Sequence, residues 1–143
     1  MIGLIVTGHG NFGTGLTSSL KLIAGDPTNY VAVDFPQEDS PEDLAKNLAT
    51  AMDSLKDCAG ILVLSDLPGG SPFKTAVEVG FPKGNVSVIA GTNLPMLIEM
   101  NLMRGFVEDL DTLTNMALDS GKNNVVKFEF VAPAAQEDCE DGI

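Results

Sequence analysis

The one histidine of this sequence, His9, lies in Gly8-His9-Gly10 directly after an apolar run. The flanking glycines remove side-chain bulk, so a second molecule can approach the imidazole closely. An imidazole changes its charge near neutral pH and can act as a base or as a nucleophile. The motif therefore predicts a chemically active histidine, although position alone leaves open a turn histidine that is hydrogen-bonded and inert.

A second set of candidate residues, from Asp66 to Phe73, follows another apolar run. A carboxylate such as Asp66 beside an imidazole accepts the ring N–H, fixes the tautomer and stabilises the cationic ring. The turn Gly69-Gly70-Ser71 runs into a predicted helix, whose free N–H groups and dipole favour a phosphate or another anion. Taken singly, Asp66 also fits a turn residue, and the glycine turn also fits an ordinary helix cap. Together with His9, they indicate a site that accepts a phosphoryl group.

The elements that position these residues alternate along the chain. Apolar runs predict four buried strands, at residues 2–7, 30–35, 60–65 and 86–90. Apolar residues at helical spacing predict helices over about 14–24, 41–56, 71–80, 94–103 and 106–121. Strands joined by helical crossovers form a parallel sheet with helices on both faces, an α/β fold in three layers. The loops after neighbouring strands then meet at the carboxyl edge of the sheet, where such folds place their chemistry.

The C-terminal part of the sequence has a different pattern. From Val125 to Phe130, apolar residues alternate with charged ones, which predicts a fifth, antiparallel strand at an edge of the sheet. Residues 131–143 show no periodicity and include four acids. We therefore expect an acidic, disordered tail after a folded domain that comprises residues 1–130.

Composition limits the classes of function. The chain has 143 residues, enough for one domain, and its 20 acids against 8 bases give a formal net charge of −12. That charge argues against nucleic acid or an anionic membrane as a direct partner. The sequence also has no apolar stretch of transmembrane length and no pattern typical of a secretion signal. One histidine and two unclustered cysteines predict neither a metal site nor a disulfide, and no nucleotide-binding motif occurs.

Three segments resemble the IIA component of the mannose family of the bacterial phosphoenolpyruvate-dependent sugar phosphotransferase system: Ile5–Gly10, Asp66–Phe73 and Ile89–Leu97. The resemblance covers about residues 1–130. It implies a four-stranded parallel sheet with a fifth, antiparallel strand, in a cytoplasmic homodimer. It further implies a carrier that needs no cofactor and never touches the sugar, so the transported sugar stays unspecified.

The resemblance also implies roles for individual residues. His9 takes a phosphoryl group from phospho-HPr and donates it to a IIB protein, expected here as a separate polypeptide, which serves the IIC/IID membrane permease. Asp66 is the partner of His9, and the phosphate-binding positions are Gly10, Gly69, Gly70 and Ser71. With Asp66 holding Nδ1–H, Nε2 is the atom that attacks phosphorus. The single arginine, Arg104, lies outside these motifs, which is consistent with a carrier that must release its phosphoryl group.

Three other functions stay open at this point. A similar phosphoryl carrier is a subunit of dihydroxyacetone kinase systems, where it is usually fused to further domains. A non-enzymatic module would bind a phosphorylated metabolite and use His9 only as a ligand contact. A hydrolase would use His9 and Asp66 as its base, although the Gly-x-Ser-x-Gly pattern of acyl transfer is absent from the sequence. Covalent phosphorylation by phosphoenolpyruvate, enzyme I and HPr would separate the carriers from the other two.

Overall fold

The computed structural model describes residues 1–132, and its centre is a four-stranded parallel sheet. The strands are β1 (Gly3–His9), β2 (Tyr30–Phe35), β3 (Ile61–Ser65) and β4 (Val86–Ile89). Their spatial order is β2-β1-β3-β4, and all three neighbouring pairs are parallel. β1 and β3 are therefore neighbours, with Thr7 opposite Ser65, as the predicted site requires.

Five α-helices cover the two faces of this sheet within the described residues. They are α1 (Phe12–Ala24), α2 (Pro41–Ser54), α3 (Ser71–Gly80), α4 (Leu94–Met103) and α5 (Leu110–Asn123). A short 3₁₀ helix, Phe81–Lys83, follows α3.

The alternating side chains of the strands divide the hydrophobic core into two parts. Leu4 and Val6 of β1 pack with α1, α4 and α5 on one face. Ile5 packs with α2 and α3 on the other face. Because successive strand residues point to opposite faces, a strand buried on both sides needs a continuous apolar run. The predicted α/β class with helices on both faces is confirmed.

The last helix differs from its prediction at both ends. α5 begins at Leu110 and not at Phe106, because the Asp109 carboxylate accepts from the backbone N–H of Thr112 (3.0 Å) and caps the helix there. Phe106 lies at helical spacing from Leu110, but its side chain is 77% exposed and does not pack in the core. Gly121 lies inside α5 and does not end it; a Cβ at this position would lie 2.6 Å from Cε of Met96. The glycine therefore permits close packing of α5 on α4.

The expected fifth strand at Val125–Phe130 is not formed within residues 1–132, so this prediction is wrong for the single chain described here. The segment is exposed, with Val126 at 82% and Phe130 at 91%. A strand needs a partner for its backbone hydrogen bonds, and alternation of side chains does not supply one. The predicted tail begins at residue 131, and its residues 133–143 lie outside the described part of the chain. In the described part, no helix is long and apolar enough to cross a membrane.

The amino edge of the sheet, at the opposite end from His9, contains the buried side chain of Arg104. Nη1 donates hydrogen bonds to the carbonyl oxygens of Ile2 (3.1 Å) and Asn29 (2.8 Å). Nη2 donates to the carbonyl oxygen of Thr28 and to Oδ1 of Asn101 (2.9 Å). The guanidinium thus joins the segments that enter β1 and β2 to the end of α4.

Candidate functional site

His9 and Asp66 form a hydrogen-bonded pair at the carboxyl edge of the sheet. His9 is the last residue of β1, and Asp66 directly follows β3. Oδ2 of Asp66 accepts from the ring Nδ1 of His9 (2.8 Å) and also from the backbone N–H of His9 (2.8 Å). Oδ1 accepts from the backbone N–H of Leu67 (2.7 Å). Three donors therefore fix the carboxylate, and the carboxylate fixes the imidazole.

This pair determines which ring nitrogen of His9 is free. Burial raises the pKa of Asp66, but the hydrogen bonds from the His9 backbone, the His9 ring and Leu67 together lower it by more than burial raises it. The pKa therefore lies below its ordinary value of 3.8. An ionised carboxylate only accepts, so Nδ1 carries the hydrogen and the lone pair of a neutral ring is on Nε2. Nε2 has no hydrogen-bond partner among residues 1–132, and the His9 side chain is 46% exposed. The arrangement presents a nucleophilic nitrogen to a second molecule.

The glycines after β3 bring the start of α3 against the His9 ring. Gly69 has φ +78°, a left-handed conformation that favours glycine and turns the chain toward the helix. A Cβ on Gly70 would lie 2.9 Å from Cε1 of His9, which is closer than real Cβ contacts permit. Only glycine at position 70 therefore lets the first turn of α3 approach the imidazole this closely.

The start of α3 differs from the other helix starts at this edge. Because the strands are parallel, α1 to α4 all begin at the carboxyl edge. A side chain accepts from a backbone N–H near the start of three of them: Asp34 at α1, Ser40 at α2 and Asn93 at α4. α3 has Gly70 as its N-cap, with no capping side chain within the described residues. Its positive end is therefore open.

The donors at this open end suit an anion. Pro72 has no N–H, and the N–H groups of Ser71 and Phe73 have no hydrogen-bond partner within residues 1–132. The first turn of α3 contains no acidic residue, and Ser71 is exposed. Unpaired amides at the positive end of a helix dipole bind phosphate or other anions. Gly70, the residue before these donors, lies against the His9 ring.

The structure brings together most of the residues that the sequence singled out. Asp66 and Gly70 contact His9 directly, and Gly69 and Ser71 belong to the adjoining turn. The N–H of Gly10, however, donates to the carbonyl oxygen of Phe35 (2.8 Å). Gly10 has a left-handed backbone conformation (φ +59°) that turns the chain after His9. Its N–H is not available to a phosphate, because it is bonded to Phe35.

The sequence interpretation missed the contribution of β2. The Phe35 ring lies next to His9, with ring centroids 6.2 Å apart and a tilt of 56°. The carboxylate of Asp34 accepts hydrogen bonds from Thr14 at the start of α1. The sequence does contain a signal for Asp34, since it is an aspartate near the end of an otherwise apolar strand. That strand, β2, ends at the same edge of the sheet as β1.

Comparisons with known proteins agree on one family. Residues 3–118 match the family model EIIA-man, described as "PTS system fructose IIA component". The chain is 30% identical over 144 residues to the PTS system fructose-specific EIIA component of Bacillus subtilis, covering 99% of both chains. It is 30% identical over 124 residues to the PTS system mannose-specific EIIAB component of Escherichia coli. That match covers 87% of this chain but only 38% of the relative, so the chain spans less than half of that protein.

A solved structure supports the same relationship. The phosphotransferase system component EIIA from Streptococcus agalactiae superposes with a TM-score of 0.82 at 35% sequence identity. The match covers 89% of this chain and 97% of the other.

Proposed function

The chain belongs to the EIIA-man family, the IIA components of the phosphotransferase system (PTS), and from that membership we propose that it carries phosphoryl groups on His9. In this proposal His9 takes the group from phospho-HPr and passes it to a IIB protein or domain, which serves the IIC/IID permease from the cytoplasm. The observation that carries the proposal is the free Nε2 of His9, held by Asp66 beside the uncapped start of α3.

The geometry suggests how the transfer would proceed. The lone pair on Nε2 attacks the phosphorus of phospho-HPr in line, and the bond between phosphorus and the donor atom breaks as the Nε2–P bond forms. No proton is transferred, because Nδ1 keeps its hydrogen throughout and donates a hydrogen bond to Asp66. The phosphorylated ring takes on positive charge, which the Asp66 carboxylate stabilises. The amides of Ser71 and Phe73 stabilise the phosphoryl oxygens.

The position of the arginine supports a transient intermediate. Arg104 is the only arginine in the sequence, and its guanidinium binds carbonyl oxygens at the amino edge of the sheet. A guanidinium forms bidentate hydrogen bonds with phosphate and would hold it tightly. Without one beside His9, the phosphoryl group stays available for the next acceptor.

Intact mass spectrometry tests the proposal. The protein is incubated with phosphoenolpyruvate, enzyme I and HPr, and we expect a stoichiometric, acid-labile gain of one phosphoryl group. His9→Ala should show no gain while keeping its fold. An unchanged mass of the wild-type protein, in an assay where HPr is phosphorylated, would favour a module that only binds phosphorylated metabolites.

We also propose that the protein forms a homodimer through residues 125–130. Val125, Val126, Phe128 and Phe130 are all more than half exposed. Several exposed apolar side chains in one segment are typical of an interface, and the segment can pair with a sheet edge of a second subunit.

Light scattering tests the homodimer. Deleting residues 131–143 should leave the mass in solution unchanged, whereas deletion from Asn124 onward should yield a monomer or an aggregate. A monomeric full-length protein at micromolar concentration, or a dimeric protein that lacks residues 124–143, would exclude this mode of association.

A further inference from the structure

The segment that joins His9 to α1 is fixed to the end of β2 at two points. Gly10 and Phe35 exchange both backbone hydrogen bonds, Gly10 N to Phe35 O at 2.8 Å and Phe35 N to Gly10 O at 3.0 Å. Further along, the carboxylate of Asp34 accepts from the Thr14 N–H (2.8 Å) and from the Thr14 hydroxyl (2.6 Å). Both ends of the segment from Gly10 to Thr14 are therefore held by neighbouring residues of one strand.

Gly13 packs closely against the Asp34 carboxylate and against the backbones of β1 and β2. A Cβ on Gly13 would lie 2.9 Å from Oδ1 of Asp34, 2.9 Å from the carbonyl oxygen of Val6 and 3.0 Å from that of Val33. The start of α1 thus lies directly on β1 and β2, with the carboxylate between them.

Two helix starts next to His9 therefore differ in charge. α1 follows His9 in the chain, and its positive end is met by the carboxylate of Asp34. Its own N-cap residue, Asn11, makes no side-chain cap hydrogen bond with the described residues. α3 starts at Gly70 against the His9 ring and has no acidic residue in its first turn. An anion is repelled from the first helix start and attracted to the second.

We propose that Asp34 is a positioning residue for phosphoryl transfer at His9, an inference that rests on the proposed function of His9. Its carboxylate closes the N-terminus of α1 and fixes the segment behind His9. Within the described part of the chain, α3 is then the one helix start beside the imidazole that has no capping side chain. Asp34 touches neither the phosphoryl group nor the ring.

The chain supplies a matched control for this test. Asp109 caps α5 with hydrogen bonds from the same two kinds of donor, the Thr112 N–H (3.0 Å) and the Thr112 hydroxyl (2.6 Å), both to Oδ2. Glu108, its neighbour, lies 3.5 Å from the amino group of Met1, so this cap is at the opposite edge of the sheet. Asp34→Asn and Asp109→Asn remove the same charge from the same kind of helix cap. Only the first is next to His9.

The test combines transfer rates with amide mapping by NMR. We expect Asp34→Asn to slow phosphoryl acceptance from phospho-HPr about tenfold, and Asp109→Asn to stay within about twofold of wild type. Inorganic phosphate should shift the amide signals of Ser71 and Phe73 in the wild-type protein. In Asp34→Asn it should also shift the amide of Thr14, a change that a merely structural role would not produce.

The outcomes separate this inference from the proposed function. Equal losses in Asp34→Asn and Asp109→Asn, or a wild-type rate in Asp34→Asn, would overturn the role of Asp34. If the wild-type protein accepts no phosphoryl group, the proposed function fails. The phosphate mapping then still tests the role of Asp34, because a Thr14 amide signal that does not shift in Asp34→Asn overturns the inference.

Should Asp34→Asn not fold, Thr14→Val replaces it. That variant loses the hydroxyl bond alone and keeps the charge, so it should slow acceptance and leave the phosphate mapping unchanged; a wild-type rate would overturn the inference.

Discussion

The polar side chains at the two edges of the sheet differ in how far they are buried and hydrogen-bonded. At the amino edge, Arg104 is 2% exposed and its four hydrogen bonds end on groups of the same chain. At the carboxyl edge, His9 uses one ring nitrogen for Asp66 and is 46% exposed, beside a helix start without a cap in the described residues. Residue type alone would assign phosphate binding to the arginine. Pairing and exposure instead favour a structural arginine, and they agree with the proposal that the chemistry takes place at His9.

His9→Gln tests the carboxyl edge with the largest expected effect, complete loss of phosphoryl acceptance. The chain has no other histidine that could substitute. The free energy of unfolding should change by less than about 1 kcal/mol, because the side chain is half exposed. The measurement is transfer of radiolabelled phosphate from phosphoenolpyruvate through enzyme I and HPr, with urea unfolding as the control. Label on His9→Gln at the wild-type level would identify a different acceptor.

Arg104→Met tests the amino edge and should affect stability but not transfer. We expect the free energy of unfolding to fall by about 3–5 kcal/mol, because the carbonyl oxygens of Ile2, Thr28 and Asn29 lose their buried donor. Lys56→Met, which removes an exposed cation, should stay within about 0.5 kcal/mol of wild type. Urea unfolding gives both values. A slower transfer rate in folded Arg104→Met would show that the two edges are not independent.

Asp66→Asn should slow phosphoryl transfer about 10²-fold while the fold is kept. The substitution retains the shape of the side chain but removes the charge that stabilises the phosphorylated, positively charged ring. Asp119→Asn, which neutralises an exposed carboxylate on α5, serves as the control and should transfer at the wild-type rate. Unchanged rates in both directions for Asp66→Asn would reduce Asp66 to a turn residue.

The smallest effect concerns pH. Because hydrogen bonds lower the pKa of Asp66 in the folded protein despite its burial, its ionised form stabilises the fold. This contribution is complete well above the ordinary pKa of 3.8 and is lost as the pH falls through the lower pKa of the folded protein. The stability difference between wild type and Asp66→Asn should therefore be constant near neutral pH and shrink below about pH 4. Urea unfolding over this range measures it, and a difference that grows in acid would contradict the sign.

Local patterns were sufficient to predict the parts of the fold that position the site. The strands are buried on both faces, so each appears in the sequence as a continuous apolar run. The start of α2 is encoded by neighbours in sequence: Ser40 accepts from the Asp43 N–H, and the Asp43 carboxylate accepts from the Ser40 N–H. Crossovers predict a parallel sheet, and in the observed strand order β1 lies beside β3, so His9 meets Asp66.

Features that depend on distant contacts escaped the sequence interpretation. The cap of α1 joins Asp34 to Thr14, 20 residues apart, and no motif in either segment indicates that pairing. The start of α5 was placed at Phe106 because its spacing is helical, although that side chain is exposed and Asp109 caps the helix later. The strand expected at Val125–Phe130 requires a partner edge, and a periodic pattern contains no information about the partner.

The hydrogen bonds of Arg104 also have a consequence for the kinetics of the folded state. They link residues far apart in sequence: Ile2 lies 102 residues away, and Asn29 and Thr28 lie 75 and 76 residues away. Such bonds need β1, the start of β2 and α4 in place, so we expect them to form late in folding. Interactions that form after the transition state slow unfolding and leave the folding rate almost unchanged. We therefore expect Arg104, which has no contact with the candidate site, to act on the unfolding rate and so to prolong the lifetime of the folded chain.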